Sequence, residues 1–428
     1  MELRSIYWFR NDLRLSDNLS LNKALDDSKH ILFIYIDDET NYQQTSWNFI
    51  RTANHRKTFI YQGISSLNKD LKKYGHSLNV LRGNSVETLI KVIQEHNIDR
   101  IFCEEIFASE ERAQIELLKK FGVNVKTFFQ SSLFNISQLP FTIKNIPDVF
   151  TKFRKSIELE KIEPNNPEQL SDNIKNILPI NFNNTKITVK KIHGHKESSF
   201  PIYKDNFMGG EINAIENIKK YFQSNLPQSY KDTRNNLMGL NFSTKFSPWL
   251  ASGFISPRQI YAYLKDYEHK FLQNESTYWI FFELLWRDFF RFIFIKYGDK
   301  FFYKSGLGLN PVKINHNTRK LEAWIKGKTS DSFINAGMTE LYKTGFLSNR
   351  MRQIVASYLV NELSCDWRSG ASWFESQLID YDVYSNYGNW AYIAGCGTDP
   401  RGVRHFNIEK QRKIYDPDGI YQQIWNKS

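Results

Sequence analysis

Five short apolar runs in the first 130 residues, separated by charged segments of helical pattern, constrain this chain more than any other feature. "SIYWF", "HILFIYI", "SLNVLRG", "DRIFCEE" and "VNVKTFF" alternate with "LSLNKAL", the long segment Asn54 to Tyr74, "VETLIKVIQEH" and a helical stretch from Ser109. Strand and helix alternating at this pitch predict a parallel sheet with helices on both faces, a doubly wound, Rossmann-like α/β domain. No GxGxxG turn follows the first run, so an ordinary dinucleotide site is not expected there. Residues 131–200 are rich in Asn, Lys, Pro and Ser with little periodicity, and read as a connector lying over the surface. Beyond Phe200 the pattern is helical almost throughout, which predicts an all-α domain.

The 428 residues exceed the roughly 250 to 300 at which a single core stops growing. The expected organisation is an α/β domain over 1–130, a connector over 131–200 and a helical domain over 201–428. Lys and Arg total 57 against 46 acidic residues, a formal charge of +11, which favours a polyanionic partner. Cys103, Cys365 and Cys396 are far apart and odd in number, so neither a disulfide framework nor a metal-ligand cluster is indicated, and a reducing compartment fits. The N-terminus lacks the charged-then-apolar layout of a signal peptide, so the expected location is cytoplasmic. The most apolar run, "YWIFFELLWRDFFRFIFIKYG" from Tyr278, contains Glu283, Arg287, Asp288 and Arg291. Each would cost about 2.5 to 3.5 kcal/mol at a bilayer centre, so the run reads as a buried helix and not a membrane span.

Several segments of the helical half carry more polar and aromatic chemistry than a simple core needs. In "DYDVYSNYGNW", Asp382, Asn386 and Trp390 recur every four residues and share one helix face, an anion, an amide and a large ring together. In "NFSTKFSPWLASG", Ser243, Thr244 and Ser247 precede Pro248 in the pattern of a helix entry, able to cradle phosphate or to serve only as an N-cap. Glu283 and Arg287 stand four apart, either as an ordinary helix ion pair or as charges facing a polar cavity. Asn349, Arg350, Arg352 and Gln353 crowd another helix start. A large planar cofactor carrying phosphates fits this set better than a metal or a nucleophile, since no His/Cys ligand spacing, G-x-S-x-G or Walker loop is found.

Long motifs in a fixed order then become recognisable. "WFRNDLRLSDN", "YKDTRNNLMGLNFSTKFSPWLASGFISPR", "FELLWRDFF", "TGFLSNRMRQIVASYLVNEL" and "DWRSGASWFESQLIDYDVYSNYGNWAYIAGCGTDPRGVRHFN" together resemble the photolyase/cryptochrome family, most closely its DASH-type cryptochromes. The resemblance implies a helical domain holding FAD. Carried over by position, Tyr230 and Ser243, Thr244, Lys245, Phe246 and Ser247 would bind the diphosphate region, with Arg287 also on the cofactor. Arg352 would pair with Asp380 beside the isoalloxazine, Asp382 would contact the flavin and ribose region, and Asn386 would face the reactive ring nitrogen. A neutral amide there suits a reduced, anionic flavin, where a carboxylate would repel the charge unless protonated. This favours repair over a plant-type signalling photocycle.

By the same resemblance Glu283 and Asn349 would contact a flipped pyrimidine dimer and Trp286 would stack on it. Tyr392 and Gln353 stand where ordinary dimer photolyases carry a Trp and a Met. A smaller ring and a polar floor recover less of the few kcal/mol needed to extrude a dimer from a duplex, so single-stranded DNA is the expected substrate. Arg234, Arg350 and Gln411 match positions that touch DNA. Trp390 and Trp367 match the inner members of an electron relay, whose outermost position falls near Ile314; Trp324, Trp373 and Tyr303 are candidates to replace it. The implied protein is a monomer without membrane attachment that repairs cyclobutane pyrimidine dimers in blue light, with a folate-type antenna chromophore left open. The alternative is a blue-light photoreceptor that binds nucleic acid or a protein partner without repair.

Overall fold

The computed structural model describes residues 3–182, 187–189, 192, 194–308 and 314–427. The apolar runs form β1 (Arg4–Phe9), β2 (His30–Asp38), β3 (Leu78–Gly83), β4 (Arg100–Glu104) and β5 (Val125–Phe128), all parallel in the order β3-β2-β1-β4-β5. Successive side chains leave a strand on opposite faces, so Tyr7, Phe9 and Phe33 enter one apolar layer while Ile6, Trp8, Leu32 and Ile34 enter the other. Both layers are covered by α1 (Leu19–Asp27), α2 (Asn54–Lys72), α3 (Ser85–His96) and α4 (Ser109–Lys120). The strand order reverses between β1 and β4, and the carboxyl ends of those strands open a crevice.

The stretch from 131 to 200 is more structured than its composition predicts. It contains α5 (Phe150–Leu159), which buries Phe150, Phe153 and Ile157, and β6 (Leu178–Pro179), which pairs in parallel with the start of β2. Four apolar residues, one of them exposed, in a ten-residue helix otherwise rich in charge give too weak a period to stand out from sequence.

The remainder is helical: α6 (Glu211–Phe222), α7 (Tyr230–Thr233), α8 (Ser247–Ala251), α9 (Pro257–Lys270), α10 (Glu275–Tyr297), α11 (Thr318–Ile325), α12 (Ser332–Thr344), α13 (Asn349–Asn361), α14 (Trp367–Gln377), α15 (Val383–Ala394), α16 (Ile408–Tyr415) and α17 (Ile420–Asn426). Among the described residues no helix is long and apolar enough to cross a membrane. The central helix is α10, whose charges are spent inside the protein. Asp288 is fully buried and accepts the Leu133 and Phe134 backbone N–H groups at 2.9 Å each, while the Arg287 Nη1 donates to the Ser131 carbonyl at 2.6 Å.

Charge also ties the helical half to the loop after β1. Glu211 accepts the N–H groups of Leu15 and Ser16 at 2.7 and 3.0 Å, and Arg14 donates to the Gly253 carbonyl at 3.1 Å. Gly253 has φ +68°, and a Cβ there would lie 1.8 Å from the Asn11 oxygen, so only glycine allows this approach. Arg258 of α9 reaches Asp17 at 2.9 Å, with the carboxylate wholly buried. Removing one partner of such a pair strands a charge without water. Arg258→Met is therefore expected to cost about 3 kcal/mol or more, read as a lowered urea midpoint with an unchanged slope.

Candidate functional site

A cavity of about 610 Å³ opens between α10, α13, α15 and the loop that leads into α8. One wall is the start of α15. Asp382 caps that helix by accepting the Ser385 N–H at 2.9 Å, and its carboxylate lies 3.9 Å from Arg287 and 3.6 Å from Arg291. Burial by itself would raise the Asp382 carboxyl, but the two guanidinium groups and the hydrogen bonds from Ser385 together outweigh it and hold the group below its ordinary value. One turn on, Asn386 donates one N–H to the Ala371 carbonyl at 2.9 Å, leaving its other N–H and its oxygen available at the cavity wall. A further turn on, Trp390 packs edge-on to Phe374 at 5.1 Å and to Trp324 at 6.3 Å. A Cβ on Gly370 would lie 2.2 Å from the Trp390 ring, so the close seating of α14 on α15 depends on that glycine.

The opposite wall joins α13 to the loop before α8. Arg352 Nη2 bonds Asp380 Oδ2 at 2.8 Å, and the Ser247 hydroxyl donates to the same oxygen at 2.7 Å. Asp380 Oδ1 is buried with no partner among the described residues. A helix does enter at this loop, with Pro248 at its start, but the expected side-chain cap is not formed. Helix α8 is only five residues long, has no side-chain cap, and Ser247 is its first helical residue, its hydroxyl committed to Asp380. Lys245 adopts φ +59°; its ammonium is buried 3.2 Å above the Phe242 ring without a hydrogen-bond partner among the described residues. Tyr230, Ser243, Thr244 and Phe246 complete this end.

At the mouth, Glu283 does not pair with Arg287. Its carboxylate takes Arg234, whose guanidinium also lies 4.4 Å over the Trp279 ring, while Arg287 turns to Ser131 and Asp382. The i, i+4 spacing put the two within reach, but Glu283 is taken by a residue just after α7 and Arg287 by the segment after β5 and the start of α15. Burial pushes the Glu283 carboxyl up, and Arg234 opposes that shift. Asn349 opens α13 and lines the cavity with Gln353, whose Oε1 is buried and unpartnered among the described residues. Trp286 stacks on Phe150 at 3.7 Å and 13°, so one face is already covered, and Tyr392 meets it edge-on at 5.7 Å.

Three predicted residues lie off this cavity. Arg350 donates to Asn235 at 3.1 Å and stacks over Tyr415, Gln411 sits on α16, and Trp367 is buried behind the wall, its indole N–H on the Lys304 carbonyl at 3.1 Å. The nearest ring described for Trp367 is Tyr387 at 6.2 Å. Of the candidates for the outer relay position, Trp324 touches Trp390 and is buried, Trp373 packs on Phe49, and Tyr303 is exposed.

A second cavity, of about 590 Å³, lies at the carboxyl ends of β1, β2 and β4, and sequence reading missed it. Asp37 accepts the hydroxyls of Tyr42 and Tyr61 at 2.5 and 2.6 Å, Arg51 bridges Glu110 and Glu375, and Glu104 Oε2 is buried without a partner among the described residues. The signal was present: acidic pairs stand at the ends of β2 (Asp37, Asp38) and β4 (Glu104, Glu105) on either side of the strand-order reversal, where α/β sheets bind ligands. Leu250, Ala251, Arg287, Tyr381 and Asp382 line both cavities.

Comparison with known proteins gives the same picture. Residues 5–169 match the DNA photolyase family and residues 279–427 match the FAD binding domain of DNA photolyase. Cryptochrome DASH of Danio rerio is 42% identical, covering 97% of this chain and 81% of that protein. Cryptochrome DASH of Synechocystis sp. is 40% identical, covering 98% and 86%. Among solved structures, a Synechocystis sp. cryptochrome superposes with a TM-score of 0.91 at 39% identity, covering 99% of this chain and 89% of that one. A class III photolyase of Agrobacterium tumefaciens gives 0.82 at 25% identity, covering 99% and 86%. An archaeal photolyase of Sulfolobus tokodaii with two FAD molecules gives 0.74 at 26% identity, covering 99% and 90%.

The charge clamp on Asp382 sets an acid dependence. A carboxyl held below its ordinary 3.8 contributes stability above that value and loses it as pH falls through the depressed one. Denaturant midpoints measured between about pH 4 and about pH 2 should fall more steeply for the unaltered protein than for Asp382→Asn.

Proposed function

The chain belongs to the photolyase/cryptochrome family, in its cryptochrome DASH branch, and from that premise we propose that it repairs cyclobutane pyrimidine dimers in single-stranded DNA under blue light. FAD is the cofactor of its helical domain. The residues present suit it: Lys245 offers a buried amine with no hydrogen-bond partner among the described residues for a diphosphate, Asp380 Oδ1 an acceptor likewise without a partner for a ring N–H, and Asn386 an amide edge for a ring heteroatom. When bound, FAD supplies the light-absorbing electron donor.

The protein's own part is orientation and electrostatics. Arg352 and Ser247 fix Asp380, Arg287 and Arg291 fix Asp382, and the Ala371 carbonyl fixes Asn386, so the polar groups of the wall are set before any ligand arrives. Glu283 and Asn349 present hydrogen-bonding groups at the mouth of the same cavity, beside Trp286 and Tyr392. This is the observation that carries the reading: one continuous cavity has a cationic, phosphate-suited end and an end suited to a pair of pyrimidines. Single-strand preference is supported by the limited stacking on offer, since Phe150 covers one face of Trp286 and Tyr392 meets it edge-on.

The Arg234–Glu283 pair favours the second reading, a photoreceptor without repair, because the carboxylate proposed for the lesion already has a partner. The cavity at the ends of β1, β2 and β4 is the seat we propose for a folate-type antenna. Its carboxylates suit the amidine-like edge of a pterin and its tyrosines suit the flat ring.

Illumination of the FAD-loaded protein with a dimer-containing single-stranded oligonucleotide is expected to restore intact pyrimidines. Glu283→Ala should slow that repair at least about tenfold, the loss of roughly 1.4 kcal/mol or more from one charged hydrogen bond, with flavin content unchanged. No repair of single strands by the unaltered protein would leave the photoreceptor reading in its place.

A further inference from the structure

Helix α5 belongs to the stretch whose composition reads as a surface connector, yet its first residue sits against the mouth of the larger cavity. Phe150 is 4% exposed and lies flat on Trp286, with ring centroids 3.7 Å apart and planes at 13°. Phe282 and Phe289 meet it edge-on at 5.1 and 5.5 Å. Those three rings stand at i, i+4 and i+7 of α10 and share one helix face, so Phe150 is seated on a single ridge with its flat side on the middle member. Helix α5 and the turn before it are tied to α10 on both sides of that contact. Before it, Asp148 accepts the Lys296 ammonium at 2.6 Å and the Tyr297 hydroxyl at 2.7 Å, and Lys296 also donates to the Ile146 carbonyl at 2.7 Å. After it, Arg154 donates to the Tyr278 hydroxyl at 2.7 Å, and that hydroxyl donates to Glu158 at 2.5 Å. Trp286 itself is only partly buried and lines the cavity with Glu283 and Asn349.

We propose that Phe150 is a positioning residue of the substrate subsite: stacked on Trp286, it fixes the plane that this indole offers to a bound pyrimidine dimer, and the connector thereby takes part in setting the affinity for damaged strands. This rests on the reading that Trp286 meets the dimer. The second side-chain torsion of a tryptophan is broad, so placement on α10 alone leaves the ring a range of tilts. A flat partner removes that range before the substrate arrives, and ordering a contact surface in advance lowers the cost of binding. Phe150 is not among the residues that line the cavity, so its effect passes through Trp286. An undamaged strand has no dimer to place in the cavity and is held through its phosphates, a contact in which the tilt of one indole plays no part.

The FAD-loaded protein is titrated in the dark with a single-stranded oligonucleotide carrying one thymine dimer, and with the same strand undamaged. Phe150→Leu is expected to weaken binding of the damaged strand roughly fivefold while the undamaged strand and the flavin content stay as they were. Phe150→Tyr keeps the flat face and should bind like the unaltered protein, whereas Phe150→Met keeps most of the volume, loses the flat face and should follow Phe150→Leu. In a Trp286→Ala background, Phe150→Leu should add nothing. Under illumination the loss should appear in KM and not in the rate at saturating strand. Undiminished affinity of the Leu and Met variants for the damaged strand, an equal loss on both strands, or additive losses in the double variant overturns the proposal. Trp286→Ala tests the underlying reading separately: an unchanged affinity for the damaged strand would overturn the assignment of Trp286 to the dimer and the proposal with it. Binding is read without light, so the result is independent of whether the dimer is repaired.

Discussion

Helix α10 carries its charges through the middle of the protein, and the necessity of giving each one a partner organises what surrounds it. Asp288 is satisfied by two backbone N–H groups of residues 133 and 134, Arg287 by the Ser131 carbonyl and Asp382, and Arg291 by Asp382. Burying a charge without a partner costs several kcal/mol, so these contacts fix the position of the segment after β5 on one side of α10 and the start of α15 on the other. The cavity wall at Asp382 is set by the same requirement that makes α10 foldable at all.

The site is also marked by what the protein leaves unsatisfied. Most buried polar atoms find partners within a fold, yet Lys245 Nζ, Asp380 Oδ1 and Gln353 Oε1 have none among the described residues, and all three belong to residues lining one cavity. At a cavity wall such atoms are open to a ligand or to water. The second cavity repeats the pattern with Glu104 Oε2, and the two share Arg287 and Asp382 as a common wall. A change of charge in one cavity is thereby felt at the edge of the other.

Legibility from sequence tracked the range of the interaction. The alternation of apolar runs gave the parallel sheet because strand period and strand length are local properties. The i, i+4 repeat placed Asp382, Asn386 and Trp390 on one wall because a helix converts spacing into a face. The same rule left Glu283 with two readings, and the structure takes the one in which it faces the cavity: its partner Arg234 follows α7, and spacing within α10 carries no information about which segment packs across it. Helix α5 escaped notice, and with it the Phe150 ring that covers one face of Trp286. Ser247 looked like a helix-entry group, but a five-residue helix cannot show from sequence that its hydroxyl will be taken by Asp380.

By itself the sequence determined the class of each half, the family and most of the residues that line the cavity of the helical half, because periodicity and long ordered motifs survive in one dimension. Only the tertiary structure decided which charge meets which: Arg234 on Glu283, Arg287 and Arg291 on Asp382, Glu340 on Tyr421, and Lys245 on the Phe242 ring with no hydrogen-bond partner among the described residues. These pairings depend on distances of a few ångströms between elements far apart in the chain, and in a low-dielectric interior such distances choose the partner and set each group's affinity for a proton.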